Sequence, residues 1–492
     1  HNGLDRLTQE VTAQGTVNYT YDNASRRATM TVVGQTQVTY TYDNANRLTT
    51  ITQGTSTVTI DYDDADRRTS VTYPNTNKVE YAYNVGSELT TLTYKQGTTT
   101  LGTLTYTYDA AGNRIKTGGT FARSNLPPAL TTTNYNANNQ QTTFGTTTET
   151  YDLNGNLATS TDAGVVTTYT WNARNQLTGI SRTGFTASFT YDSFGRRTGK
   201  TSNATTTNFV YDGLNPVQEK NGATVTANLL TGPGIDEFFT RTDGVGVRAI
   251  LPDALSSTVA LGDGTGTLQT QYTYEPFGIT TQTGAASTNS YKYTGREDDG
   301  SGLYYYRARY YQPRLQRFIS EDPIGFFSGN TNHYSYVTND PLSNIDPLGL
   351  KDLNLPGGFS GRVDSFNLRG ESSFEIHICD GLGNEIGIYG PDGWINKHGK
   401  GIPIGLPSEL ENALKGISIN ELRARGKFPP KGTADIKGSR WLRYIGKSCS
   451  ICGAAAAAIG AGEAIANGEG GAGAAGSLLD PIVCPLGCDE LN

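Results

Sequence analysis

Two Asp-Pro-x-Gly units, Asp322-Pro-Ile-Gly325 and Asp346-Pro-Leu-Gly349, stand twenty residues apart. Two carboxylates held close together cannot both ionise comfortably, so one is driven to keep a proton. The ionised partner can then activate water while the protonated one polarises a peptide carbonyl, as in aspartic proteases. Each Pro fixes the backbone after its Asp, and each Gly permits a tight turn that could bring the two together. Asp-Pro-x-Gly is also an ordinary turn sequence, so the spacing alone leaves both readings open. Arg317, five residues before Asp322, could pair with the ionised carboxylate and orient the peptide, or form a structural ion pair.

A second set of chemically able residues follows. His377 and His398 lie in a β-rich stretch, with Lys397 and Lys400 flanking the second. Two imidazoles and a lysine suffice for metal-free RNA cleavage. One His takes the ribose 2′-OH proton, the other protonates the leaving oxygen, and Lys stabilises the phosphorane. The period of two places Glu375 and His377 on one strand face, a carboxylate–imidazole pair suited to a general base. The competing reading is a set of surface residues on a basic face. The His-Asn-His spacing of metal-dependent nucleases is missing from the sequence, as are a Walker-type phosphate loop and a Gly-x-Ser-x-Gly elbow. Near the C-terminus, Cys449 and Cys452 stand 31 residues from Cys484 and Cys488. These pairs could hold a structural zinc through four thiolates, form two disulfides, or staple a flexible Gly/Ala segment. No other cofactor is expected.

The elements that must position these residues are mostly β. The 492 residues are low in charge (17 %) and rich in Gly (60) and Tyr (29), a composition of strands and tight turns. The net charge of −7 argues against a protein that coats nucleic acid. It divides as −5 over residues 1–350, +3 over 351–447 and −5 over 448–492, three differently built regions. The chain opens on His1 rather than Met and reads as a fragment or processed product of a larger protein. No run reaches the length of a membrane-spanning helix, although the small-residue stretch from Gly453 to Gly476 has the spacing of membrane-inserting segments.

Periodicity is the strongest signal. An aromatic followed by Asp or Asn recurs at Tyr21, Tyr42, Tyr62, Tyr83, Tyr108, Tyr135, Tyr151, Trp171, Tyr191 and Tyr211, mostly 20 or 21 residues apart. Five residues after several anchors comes Arg, Asn or Gln, as at Arg26, Arg47, Arg67, Asn113, Asn156, Gln176 and Arg196. Each unit reads as strand, turn and returning strand, and such hairpins must stack into a continuous sheet to be stable. A flat, adhesin-like β-solenoid is the alternative.

These units resemble the YD repeats of the RHS family of bacterial polymorphic toxins, toxin-complex C subunits and teneurins. The match sharpens at Tyr274-Glu-Pro-Phe-Gly278, Tyr293-Thr-Gly-Arg-Glu-Asp298 and Ser301-Gly-Leu-Tyr-Tyr-Tyr-Arg-Ala-Arg-Tyr-Tyr311. It continues through Arg317-Phe-Ile-Ser-Glu-Asp-Pro-Ile-Gly325 and Asn339-Asp-Pro-Leu-Ser-Asn-Ile-Asp-Pro-Leu-Gly-Leu350, and together these resemble the RHS-associated core. The resemblance implies a mainly β fold in which YD-repeat hairpins spiral into a hollow β-shell (1–260). An inward-curling core with an autoprotease (261–350) follows, with Asp322 and Asp346 as its catalytic pair and the cut between Leu350 and Lys351. Aromatic and basic residues alternating through Tyr304–Tyr311 fit a strand packing the core on the shell wall. Residues 351–447 read as a small α+β toxin module with a strand at 373–378, its hairpin partner at 385–389 and a helix through 408–422. Residues 448–492 form a Gly/Ala- and Cys-rich tail.

The stretch from Glu375 to Lys400 faintly resembles small bacterial ribonucleases delivered as toxins, including ribosome-targeting colicins, which adds Asp380 and Arg440 to the candidates. The implied whole is a secreted or delivered interbacterial toxin whose shell encloses its own cleaved C-terminal effector. Its expected partners are a cognate immunity protein, a secretion-system component, and RNA as target. A membrane-active effector and a non-toxic RHS surface adhesin are the alternatives.

Overall fold

Alternating Val, Thr and Tyr produce one antiparallel hairpin after another. Strands from Gln9–Val11 to Arg114–Gly118 form an eleven-stranded sheet, and strands from Thr133–Tyr135 to Thr280–Gly284 a sixteen-stranded one, each strand lying beside its sequence neighbours. The break between the sheets falls in the widest gap between anchors, Tyr108 to Tyr135. The computed structural model describes residues 1–350 except 5, 111, 124, 125, 128, 131 and 326–330. Beyond these it describes 353–355, 359–368, 371–379, 385–390, 393–395 and Leu414.

The repeat pattern has a physical cause. Most anchors' polar tips bond back to a backbone carbonyl earlier in the chain. Tyr42 Oη donates to Arg27 O (2.9 Å), Tyr62 Oη to Leu48 O (2.9 Å) and Trp171 Nε1 to Leu157 O (2.8 Å). The following Asp closes the turn: Asp43 Oδ1 accepts from the Arg47 amide (2.9 Å) and Oδ2 from Arg47 Nε (2.7 Å). Arg47 then reaches forward, donating to Asp63 O (2.9 Å) and lying 5.1 Å from the centre of the Tyr62 ring. Arg26 over Tyr42 and Arg67 over Tyr83 repeat the arrangement. The residue five after the anchor therefore couples one hairpin to the next. The residue before it takes the left-handed conformation in Ser25, Asn46, Asp66 and Asn175, which accounts for the small polar turn residues.

The inner faces of both sheets are packed. Val17, Tyr19, Ile51, Val58, Ile60, Val79 and Tyr94 of the first sheet join Val210, Leu230, Phe239 and Leu251 of the second in one buried cluster. A core side chain of this size contributes roughly 1.5–3 kcal/mol by leaving water. Polar ties cross the same face: Arg27 pairs with Asp212 at 2.5 Å, and Tyr94 Oη donates to Pro252 O at 2.7 Å. Further along, Leu157, Tyr169, Leu177, Ile180 and Phe189 of the wall pack on Leu303, Tyr305, Tyr310 and Ile319 of the core block.

The second sheet runs unbroken across residue 260, which lies within the strand Thr258–Gly262, and ends at Gly284. The wall therefore extends past the expected 260/261 boundary, because strand pairing continues after the Tyr-Asp spelling lapses. A four-stranded sheet follows, made of Glu297–Asp298, Tyr304–Tyr306, Arg309–Gln312 and Arg317–Phe318. The Tyr/Arg run is thus a hairpin rather than a single strand, turning at Arg307-Ala308 with Tyr306 opposite Arg309. Tyr305 and Tyr310 face the wall, while Tyr306 and Tyr311 enter an aromatic cluster with Tyr293, Phe318 and Tyr336.

The chain divides into two compact units, His1–Lys351 and Asp352–Asn492. In the second, Leu353–Leu355, Phe359–Leu368, Glu371–Cys379, Glu385–Gly390 and Gly393–Ile395 form an antiparallel sheet. The hairpin expected from 373–378 and 385–389 is present, pairing Ile376 with Tyr389. Its first strand is longer than expected and also pairs with Phe359–Leu368. The helix expected over 408–422 lies outside the described residues except for Leu414, which is helical and buried.

Candidate active site

The site is built on the hairpin turn at Arg307-Ala308 and the two Asp-Pro-x-Gly turns. Arg309, at the start of the returning strand, is 1 % exposed and lies 3.7 Å from the centre of the Phe318 ring. Its Nη2 stands 3.0 Å from Asp322 Oδ2 and 3.4 Å from Asp346 Oδ2, and both aspartates are buried. One nitrogen thus bridges two carboxylates that are 24 positions apart in sequence. Burial pushes the Arg309 guanidinium below its ordinary range, while Asp322 and Asp346 oppose the shift. Two ionised carboxylates beside one guanidinium would leave a net negative charge in a dry site.

Each turn also orients its aspartate. Asp322 Oδ1 accepts from the Ile324 amide (3.1 Å), and the Gly325 amide closes onto Asp322 O (2.9 Å). The Asp322 amide and Arg309 Nη1 both donate to His333 O, at 3.1 and 2.9 Å. Asp346 Oδ1 accepts from the Leu350 amide at 3.0 Å, tying the last residue before the expected cut to one of the two carboxylates. Gly349 has φ +64°, and a Cβ there would run into Tyr306 O and sit 3.0 Å from Arg309 N, so the turn requires glycine. Three successive carbonyls of this segment are held by three successive residues of the hairpin. Arg307 Nη1 donates to Pro347 O, the Ala308 amide to Leu348 O (3.0 Å), and Arg309 Nε to Gly349 O.

Arg317 lies elsewhere. It donates to Asn139 O (2.8 Å) and covers the Tyr135 ring at 4.8 Å, so it ties the core to the wall rather than serving either aspartate. The reason is strand alternation: Arg317 points to the opposite side from Phe318, which lies under Arg309. The arginine missed in the sequence is Arg309, read there only as part of a packing motif. Its signal was the pair of carboxylates itself, which needs a buried cation, in a block with an arginine two residues before the buried Tyr311.

Beside Arg317, burial raises the Glu149 carboxyl to about 7, against the opposing pull of Tyr151, Arg317 and Arg314. Its folded pKa lies above its unfolded value, so the native state loses stability as pH rises from about 4.5 to about 7. Glu149→Gln is expected to raise the urea midpoint at pH 8 and leave it nearly unchanged at pH 5. The difference should be on the order of 1–3 kcal/mol, and an equal effect at both pH values would contradict this account.

In the second unit Glu375 and His377 lie in Glu371–Cys379, opposite Asp364 and Arg362 of the neighbouring strand. They alternate with Ile376 and Ile378, which are buried. Lys351, Asp380, Lys397, His398, Lys400, Arg440 and the four cysteines Cys449, Cys452, Cys484 and Cys488 lie outside the described residues.

A long antiparallel wall of Tyr-Asp hairpins with a core block packed against it is the architecture of a YD-shell. The teneurin YD-shell family model matches residues 68–342, more than half of the chain, and the protein belongs to that family. It is similar to the toxin subunit YenC1 of Yersinia entomophaga, 40 % identical over 126 residues, which cover 25 % of this chain and 12 % of that protein. It also resembles the tRNA nuclease WapA of Bacillus subtilis, 38 % identical over 104 residues, covering 20 % of this chain and 4 % of WapA. Among solved structures, TcdB2-TccC3-TEV superposes with a TM-score of 0.53 at 21 % identity, covering 69 % of this chain and 22 % of that one. The Photorhabdus luminescens Tc holotoxin pore gives 0.53 at 21 % identity, covering 68 % of this chain and 21 % of that one. The chain thus spans a small part of each of these four proteins, and the structural likeness shows the shared fold.

Proposed function

We propose that this chain is the shell and self-cleaving core of an RHS-type bacterial toxin, which cuts itself after Leu350 and so frees residues 351–492 as effector. The observation that carries the reading is the shared Arg309 between Asp322 and Asp346, with the Leu350 amide on Asp346 Oδ1. In this reading Asp322, with the shorter contact to Arg309 (3.0 Å against 3.4 Å), is taken as the base and Asp346 as the acid. Asp322 takes a proton from water as the water oxygen attacks the Leu350 carbonyl carbon, and Asp346 passes its proton to the carbonyl oxygen. As the gem-diol collapses, one hydroxyl proton returns to Asp346, Asp322 gives its proton to the Lys351 backbone nitrogen and the C–N bond breaks, so one water is consumed, both carboxyls regain their starting states and two chain ends appear. Intact mass of the purified chain tests this: two fragments joined at Leu350–Lys351 are expected, and a single uncut mass would reject the reading.

The freed segment is proposed to be a metal-independent ribonuclease using Glu375, His377, Lys397 and His398, held in check by an immunity protein and carried by a secretion system. The support is the similarity to WapA, named a tRNA nuclease, and the placing of Glu375 and His377 two apart on one strand. RNA from cells making the chain should carry new 2′,3′-cyclic phosphate ends, formed by attack of the 2′-OH, and His377→Ala should abolish them. Intact RNA with a collapsed membrane potential would instead select the membrane-active effector.

A further inference from the structure

The contacts around Arg307 go beyond what the two aspartates need. Arg307 holds φ +58° in the two-residue turn, a left-handed position that favours Gly or Asn and costs other residues on the order of 1 kcal/mol. An arginine placed there is there for its side chain. That side chain grips Asp236 at two points, Nη2 to Oδ1 at 2.8 Å and Nη1 to Oδ2 at 3.0 Å, and Nη2 also donates to Leu214 O at 3.2 Å. The same Nη1 reaches Pro347 O, directly after Asp346.

Asp236 belongs to the wall, between the strands Thr224–Thr231 and Phe238–Asp243. It is buried and fixed by its own loop: its amide donates to Asn215 Oδ1 (2.8 Å), and Asn215 Nδ2 donates to Gly234 O (2.7 Å). Arg296 also pairs with Asp236 but turns its remaining nitrogens to Tyr305 O, at 3.0 and 2.9 Å. Two arginines therefore share one wall carboxylate, and Arg307 is the one that extends to the segment before the cut.

Building on the cleavage reading above, we infer that Asp236 is a positioning residue for self-cleavage. Through Arg307 it sets the register in which residues 347–350 enter the site, so that cutting waits until the wall around Asp236 has formed. The carbonyl-by-carbonyl hold of Pro347, Leu348 and Gly349 by residues 307, 308 and 309 gives the physical link. Without the Asp236 anchor, the first of these three contacts has no fixed origin, and a slip by one residue removes the Leu350 amide from Asp346 Oδ1.

The test follows the cut fraction of the full chain over time in cell-free synthesis, by gel and intact mass, for wild type, Arg307→Met, Arg307→Lys and Arg296→Met. Arg307→Met should slow cutting about a hundredfold, the scale of a misplacement near 1 Å, or move the break away from Leu350. Arg307→Lys keeps a cation opposite Asp236, so the fold is retained, and should recover part of the rate. Arg296→Met loses an ion pair to the same carboxylate without touching residues 347–349, and should cut after Leu350 at close to the wild-type rate. Arg296→Met as slow as Arg307→Met, or Arg307→Met as fast as wild type, would overturn the inference and leave general packing as the role. An uncut wild type would remove the cleavage reading beneath it and this inference with it.

Discussion

Asp322→Asn and Asp346→Asn are each expected to leave the full chain uncut under conditions where the wild type separates at Leu350–Lys351. Asparagine keeps the shape of the side chain and its acceptor oxygen, so the Ile324 and Leu350 amides retain partners. What it removes is the ability to take or give the proton, and acid–base catalysis of this kind is worth about 10²–10⁴-fold. Either change also leaves one carboxylate with Arg309 to itself, a balanced buried pair, so the fold should survive. The two substitutions should not add, because the carboxylates act as a unit. Time courses of the cut fraction, with near-ultraviolet circular dichroism to show that the aromatic cluster is intact, decide the matter. A variant cut at the wild-type rate would exclude its aspartate from the chemistry.

Legibility in the sequence followed the range of the physics. The hairpins were readable because their cause is local: Tyr42, Asp43 and Arg47 make turn, cap and inter-repeat bridge within a few residues. The wall beyond residue 220 was harder to see, because strands such as Phe238–Asp243 and Thr258–Gly262 pair in the same way without the Tyr-Asp spelling. The two aspartates were legible as a pair through their matching turns. Their shared cation was not, because Arg309 meets Asp322 and Asp346 only after a two-residue turn folds the Tyr/Arg run back on itself. Arg317 sat nearer Asp322 in sequence, but strand alternation turns it to Tyr135 and Asn139. Asp236 had no local signature at all: its meaning comes from arginines 60 and 71 positions away.

Arg197→Met is expected to be the most destabilising single substitution in the wall, at about 3–5 kcal/mol. Arg197 is fully buried in the strand Arg197–Ser202 and reaches across to the core block. It binds Asp299 at two points (2.6 and 2.9 Å), Glu297 at 2.6 Å and Tyr310 Oη at 3.1 Å, and it lies 4.1 Å from the centre of the Tyr305 ring. Lys200 adds a second cation, 2.5 Å from Glu297. Removing Arg197 leaves two buried carboxylates facing one lysine, and the loss is chiefly their uncompensated charge rather than the missing contact.

The pH dependence separates these two sources. For Glu297, burial acts to raise the pKa, but Arg197 and Lys200 prevail and hold it down to about 2. In the wild type this group therefore contributes stability above about pH 4.5 that is lost only as pH falls through about 2. Burial dominates at Asp299 and raises its pKa, so that group contributes in the opposite sense and acid relieves it. Without Arg197 both carboxyls move upward, and the deficit of the variant should be full near pH 7.5 and shrink toward pH 4 as they protonate. Adding Glu297→Gln and Asp299→Asn to Arg197→Met should recover most of the stability, because the stranded charges go with their partner. Urea midpoints in an Asp322→Asn background, where every chain stays whole, provide the measurement. A deficit that is flat from pH 7.5 to pH 4, or unrelieved in the triple variant, would mean that lost packing against Phe189, Phe209 and Tyr305 outweighs the charge.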